Sequence, residues 1–384
     1  MKNFRILLVM AAVLTAVGFV SAQTWTQTGA PTNLPWSAIA SSADGTTLVA
    51  AASPGPIYTS TNGGLTWTEA DLPSTNVWTA VASSADGTKL VADADWGPIY
   101  ISTNAGLTWN ARATNTSPSY GWSAIASSAD GARLIAVMLS RVYFSTNSGM
   151  SWYTNIPDIE ALGVASSADW TKLVAMGCRL HLSTNSGATW TYSIMPYYGG
   201  GCDSIASSAD GNKLVAGVGE YLFTSKDSGE SWTASNTNYG GNWRSIASSA
   251  DGNILVAMGC RLHLSTNSGT TWDLAIPLSS PLFCKDWNCV ASSADGSKLI
   301  AAIHGGGIYT WKTTPSPQLN LTPSGGNLTT SWIIPSTNFV LQQSADLSSW
   351  TDVTNPPALN LTNLQDEIFL SPTNGSSFYR LKTP

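Results

Sequence analysis

Five tryptophans, Trp36, Trp78, Trp122, Trp243 and Trp287, stand five residues ahead of the first Ser of a recurring Ala-Ser-Ser-Ala-Asp string. Their rings offer flat apolar faces that stack on sugars, hold peptide side chains or accept cations. Arg141, Arg179 and Arg261 occupy one equivalent position in repeats three, four and six. Three guanidinium groups so placed suit a carboxylate, a sulfate or an acidic peptide tail. Repeat two adds Asp93, Asp95 and Trp96, repeat five Glu220, and repeat seven His304 ahead of three glycines. Together these residues outline a binding surface for a glycan or a polypeptide. The same even spacing also suits tryptophan wedges between neighbouring sheets, and arginines that are merely solvated or paired.

The elements that position them come from the repeat. Its first Ser falls at 41, 83, 127, 166, 207, 248 and 292, spaced by 39 to 44 residues, the length of one four-stranded propeller blade. Six copies continue Asp-Gly, the strongest short hairpin signal, and the fourth reads Asp169-Trp170. Each unit predicts four strands: one ending in the string, as at 36–41, a Leu-Val-Ala strand, as at 90–92, a third, as at 99–102, and a fourth begun by the Trp of Ser-Thr-Asn-x-Gly-x-x-Trp. No unit can bury its own faces, so the units must stack. In such a ring the second-to-third and fourth-to-first loops share one face. The Asp-Gly turns and the Ser-Thr-Asn loops take the other.

The Ser-Thr-Asn element stands at 60–67, 102–109, 145–152, 183–190, 225–232 and 265–272. Its third position holds Asn62, Asn104, Asn147, Asn185, Asp227 and Asn267, for which a structural role is expected. A short polar side chain there bonds the turn's own N–H groups, the Gly takes positive φ, and the Trp packs the turn onto the sheet. The seventh unit lacks this element, while Thr24-Trp25-Thr26 matches Thr66-Trp67-Thr68. The N-terminal strand is therefore expected to complete the seventh unit beside the strand at 307–311, leaving no open sheet edge.

The Ser-Thr-Asn element resembles the Asp-box of sialidase-like (BNR) repeat proteins, Ser/Thr-x-Asp-x-Gly-x-Thr-Trp, with Asn for Asp in five of six copies. That resemblance implies an all-β fold, a seven-bladed β-propeller over 23–312. The chain also looks like single-ring exported propellers of the Ycf48 kind, photosystem II assembly factors that present an arginine patch to a protein partner. This likeness implies a non-catalytic binding mode. Kinship to sialidases would instead imply an arginine triad, a Tyr–Glu pair and an acidic Asp. The Phe/Tyr-Arg-Ile-Pro motif of that family is absent, and of Glu69, Glu160, Glu220, Glu230 and Glu367 only Glu220 falls in the ligand-side loops. Hydrolysis by two carboxylates needs a close pair, and Asp93 or Asp95 would have to reach Glu220 across the channel. A binder is the expectation, with a glycoside hydrolase or an adhesive envelope spacer as alternatives.

The chain has 384 residues, 43% hydrophobic and 10% charged, which excludes a disordered or coiled-coil protein. Residues 1–22 read as a signal peptide, with Lys2 and Arg5 ahead of an apolar run and Val20-Ser21-Ala22 at the cleavage site. Export to the periplasm, the cell surface or the medium follows, with no transmembrane segment after cleavage. The remaining 15 basic and 23 acidic residues make nucleic acid an unsuitable partner. A monomer is expected. A Pro/Ser/Thr linker at 313–318 leads to a small antiparallel β-sandwich at 319–384, with runs at 318–322, 327–334, 338–344, 350–354, 367–371 and 377–382. Its pattern resembles C-terminal modules on exported proteins of some environmental bacteria.

Export permits disulfides. Cys178 and Cys260 sit in identical Met-Gly-Cys-Arg-Leu-His-Leu-Ser stretches, and Cys202 and Cys284 each follow 24 residues later. Bridges Cys178–Cys202 and Cys260–Cys284 would staple repeats four to five and six to seven, leaving Cys289 buried in an inner strand. Cys260–Cys289, or no bridge, are the alternatives. His181 and His263 replace a third-strand Tyr and are expected in the core. No cofactor is implied, and no metal, since two His without a carboxylate at ligand spacing make no site.

Overall fold

The computed structural model describes residues 25–112, 121–138, 141–154, 161–177, 179–193, 202–235, 242–283, 285–312, 319–324, 327–333, 340–360, 364–370 and 378–382. The expected leader and linker fall outside the described residues. Among those described there are strands and turns and no helix.

Each Ser-Ser-Ala-Asp segment builds its own hairpin. In repeat one, Asp44 Oδ1 accepts the Ser42 hydroxyl and the Thr46 N–H, while Thr47 N–H donates to Ser42 Oγ at 2.9 Å. Gly45 follows at φ +66°, where a side chain would be strained. The turn delivers a second strand that is apolar throughout: Leu48–Ala52, Leu134–Met138, Leu173–Gly177, Leu214–Val218 and Leu255–Met258 are buried at every residue. A strand buried on both faces must have a neighbour on both faces. That requirement makes the sheets stack.

In repeat one the antiparallel order is Leu34–Ser41, Leu48–Ala52, Ile57–Ser60 and Thr68–Glu69. Repeats two, four, five and six repeat this order, and in repeat three the fourth strand shrinks to a bridge between Phe144 and Tyr153. Repeat seven supplies Trp287–Ser292, Lys298–Gly306 and Ile308–Lys312. Its fourth strand comes from the other end of the chain, with Thr26 opposite Thr310 and Gln27 opposite Tyr309. The expected closure by the N-terminal strand is thus present. Lys298–Gly306 also reaches repeat one, pairing Leu34 with Gly306 and Pro35 with His304, so these two sheets are continuous.

First strands neighbour one another in chain order, and Trp287–Ser292 returns to Leu34–Ser41. Below them the second Ala of each string donates its N–H to the next carbonyl. The bonds run from Ala43 to Ala85, Ala129, Ala168, Ala209, Ala250 and Ala294, and from Ala294 back to Ala43, at 2.6 to 2.9 Å. Such a circle closes only when the repeats surround one axis.

Two further sheets follow. One orders Asn320–Ser324, Asn327–Ile333, Gln365–Leu370 and Ala358–Asn360; the other orders Thr351–Asp352, Val340–Ser344 and Phe378–Lys382. Trp332, Leu341, Ile368 and Leu370 form their common core. The sequence expectation lacks the strand Ala358–Asn360, because two prolines directly precede that short run and argue against a strand. Leu364, just before Gln365–Leu370, packs on the alanine circle.

Candidate functional site

Trp122 pairs with Met138, and Met138 with Arg141. The start of a first strand therefore lies level with the second-to-third turn of its sheet. One mouth of the ring gathers these starts and turns.

The five first-strand tryptophans do not open onto that mouth, which corrects their expected role as a ligand platform. Trp36, Trp78, Trp122, Trp243 and Trp287 are all buried, none more than 3% exposed. Each meets the third-strand ring of its own repeat edge-on: Trp36 with Tyr58, Trp78 with Tyr100, Trp122 with Tyr143, Trp243 with His263 and Trp287 with Tyr309. Centroids lie 5.4 to 5.8 Å apart at 65° to 75°. Trp36 and Trp78 donate to the carbonyls of Gly306 and Gly55 in the preceding repeat's turn, at 3.1 and 2.8 Å. The large apolar area of each ring goes into the seam between sheets, where it wedges neighbours at the width a ring demands.

Asp93 is likewise corrected from a surface ligand group to a buried one. It is fully buried where the other repeats carry Ala51, Val137, Met176, Gly217, Met258 and Ala302. Its Oδ1 accepts the Thr79 hydroxyl and the Ala80 N–H, and its Oδ2 has no hydrogen-bond partner. Burial pushes the carboxyl up to about 7.

The other turn residues do reach the mouth. Asp95 is half-buried, while Trp96 is 61% exposed at φ +61°. Arg141, Arg179, Glu220 and His304 are exposed, and Arg261 is half-buried. The arginines engage local rings: Arg179 lies 6.0 Å from the Tyr192 centroid, and Arg261 lies 4.8 Å over Phe283.

A second set of residues escaped the sequence reading. A register shift interrupts the first strand in repeats one, two, three, four, five and seven, immediately after the wedge position. The residue displaced by the bulge is Ser37, Thr79, Ser123, Leu162, Asp203 or Asn288, and Arg244 holds the same place in repeat six. Leu162 is 54% exposed, and the Arg244 side chain is 49% exposed in an ion pair with Asp286 at 2.7 Å. Bulges re-aim a side chain out of the ladder. Ser123 and Leu162 are exposed at the inner rim, while Ser37, Thr79 and Asn288 are half-buried and donate to Ala51 O, Asp93 Oδ1 and Trp36 O. Wide variation at this one position, between a mostly Trp position and one held by small residues, was the available signal.

The fold is similar to that of Ycf48. A solved structure of Ycf48 bound to D1 peptide matches with a TM-score of 0.60 at 15% identity, over 77% of this chain and 97% of that one. Ycf48 from Cyanidioschyzon merolae matches with a TM-score of 0.59 at 15% identity, over 75% and 98%. No protein-family model and no curated protein matches the sequence. The likeness to Ycf48 makes the ring a β-propeller, and at such identity it carries no residue across.

At the opposite end from this mouth, the six Ser-Thr-Asn loops hold themselves. Asn62 Oδ1 accepts the Ser60 hydroxyl and the Thr66 N–H at 2.9 Å each, its Nδ2 donates to Thr66 Oγ1, and Trp67 Nε1 closes onto Gly64 O. Asn104, Asn147, Asn185, Asp227 and Asn267 accept from the corresponding Ser hydroxyl and N–H. A network so closed on itself leaves little for a ligand. His263 is buried, and burial with Arg261 nearby lowers it to about 4, which suits a packed neutral ring. His181 is lowered by partial burial and Arg179. Cys289 is buried in Trp287–Ser292, its thiol pushed up to about 12 by burial. Cys178, Cys284 and the Cys202 side chain lie outside the described residues, and with them both expected bridges.

Proposed function

We propose that this chain is an exported seven-bladed β-propeller that binds a polypeptide at the mouth built from the first-strand bulges and second-to-third turns, without catalysing a reaction. The observation that carries this reading is the rim of Ser37, Thr79, Ser123, Leu162, Arg244 and Asn288, dissimilar residues at one equivalent position of a nearly uniform repeat. Function on a regular scaffold gathers where the scaffold is irregular and exposed. Polypeptide is favoured over glycan because sugar rings stack on exposed aromatic faces, and burial of the five wedge tryptophans leaves Trp96 as the one exposed indole at the mouth among the described residues. The solved complex of Ycf48 with D1 peptide supports the same class of ligand. In this reading residues 1–22 direct export, and residues 319–384 form a small β-sandwich beyond the linker.

The test is to pan a random peptide library on the mature chain and to compare variants with the native protein. Selected peptides should lose at least about tenfold in affinity with Leu162→Glu, which puts a carboxylate in an apolar contact, or with Arg244→Glu, which reverses a rim charge. Leu107→Glu, on the opposite end, should leave them unchanged. Peptides that bind the rim variants as well as the native chain would refute the site.

A further inference from the structure

The mouth is not evenly built. In repeat two the ladder between first and second strands runs one pair further than in repeats one, three, four and five, adding Val77 opposite Asp95 beyond Trp78 opposite Ala94. This extension lifts Asp95 and Trp96 at the rim. The turn that follows is fixed by Gly97 N–H donating to Ala94 O at 3.1 Å, with Trp96 in the left-handed region. Trp96 leaves 61% of its surface in solvent, although the chain buries every wedge tryptophan. The Asp95 carboxylate lies against Gly121 of repeat three, where a side chain would collide with Oδ1, so repeat three leaves room for it by having none. Behind the turn lies Asp93, fully buried, with Oδ2 unpartnered and Asp95 as its charged neighbour.

Asp95 and an uncovered indole therefore share one turn, with the buried Asp93 carboxyl in the strand behind it, and no salt bridge to either carboxylate occurs among the described residues. Buried or half-buried acids without a cation are costly, and the cost falls when a cation arrives. An indole face beside a carboxylate takes a guanidinium or an ammonium, through the ring quadrupole and a charged hydrogen bond together. We infer that the Asp95–Trp96 turn of repeat two is a subsite for a basic side chain, arginine or lysine, of a bound polypeptide. The inference rests on the mouth being a polypeptide site, and adds which residue that polypeptide must bring to repeat two.

The probe is a fluorescent peptide with two arginines in a Gly-Ser background, compared with its glutamine counterpart by polarisation at physiological salt. The native chain should prefer the arginine peptide, and Trp96→Ala and Asp95→Asn should each weaken that binding by about fivefold or more. Glu230→Gln removes an exposed acid from the Ser-Thr-Asn loop of repeat five, at the opposite end of the ring, and should change nothing. The inference is overturned if the native chain shows no preference, if either variant binds like the native chain, or if Glu230→Gln weakens binding as much. Library peptides that need Leu162 yet lack basic residues would overturn this subsite alone. Peptides indifferent to Leu162 would overturn the mouth.

Discussion

The Lys298 ammonium donates to the Asp44 carbonyl at 2.8 Å, across 254 positions of chain. Lys89 makes the same bond to Asp130 and Lys213 to Asp251, so the seam between the last and first repeats is built like those between consecutive ones. In repeat seven alone the fourth strand is supplied from the N-terminus. Trp25, just ahead of it, is buried in the seam between repeats six and seven, its ring 5.5 Å from Trp287 and 6.3 Å from Trp311, and its Nε1 donates to Ala275 O. Trp25→Ala should cost about 3–5 kcal/mol, as large-to-small changes of a buried Trp do. Deleting residues 23–29 should cost more still. Thermal unfolding checks both, and an unchanged midpoint in the deletion would mean that the strand is an ornament.

Asp93 predicts a pH dependence. Its carboxyl titrates near 7 in the folded chain, against an ordinary value near 4 in the unfolded one. Between those values the folded state holds more protons, so stability falls as pH rises from about 4 to about 7 and is level beyond. The whole difference is on the order of 4 kcal/mol. Asp93→Asn keeps an oxygen for Thr79 and Ala80 and carries no charge, so most of that slope should vanish. Urea unfolding of both proteins on either side of the window decides, and equal slopes would sink the assignment.

Trp170 stands where six repeats have glycine, at φ +69° and buried. Trp170→Gly would relieve about 1–2 kcal/mol of left-handed strain. It would also remove a buried ring among Val164 and Leu173, worth about 3–5 kcal/mol. Packing should win, leaving the variant about 2 kcal/mol less stable by denaturant unfolding. A more stable variant would mean that strain governs this turn.

The repeat, its hairpins and the terminal closure were legible because each rests on local chemistry: the Asp-Gly turn, the Ser-Asn loop and the Thr24-Trp25-Thr26 match. The tryptophans were legible in position and not in direction. Spacing along the chain cannot tell a ring that faces the axis from one that faces the next sheet. The telling detail was the aromatic third-strand partner, as Tyr58 is to Trp36, since two rings at facing positions of one sheet must meet. The bulge after Trp36 is a backbone event without a residue type of its own, so Leu162 and Arg244 went unnoticed.

The Ser-Thr-Asn loops make a last test, because one repeat already carries the variant. Asn185 Oδ1 accepts the Ser183 hydroxyl at 3.0 Å and the Thr189 N–H at 2.9 Å, and its Nδ2 donates to Thr189 Oγ1. Asn185→Ala strands these donors and should cost about 1–2 kcal/mol. Asn185→Asp should be nearly neutral at neutral pH, since Asp227 accepts the same two bonds from Ser225 and Ser231. The price appears in acid. The Ser231 hydroxyl and N–H, with Ser225, hold Asp227 down to about 2, so its contribution is present above the ordinary carboxylate value and lost as pH falls toward 2. Asn185→Asp should gain that acid sensitivity in a loop that lacks it. Melting temperatures at neutral and acid pH measure this, and an Asp variant as unstable as the Ala variant at neutral pH would show that the loop needs the amide.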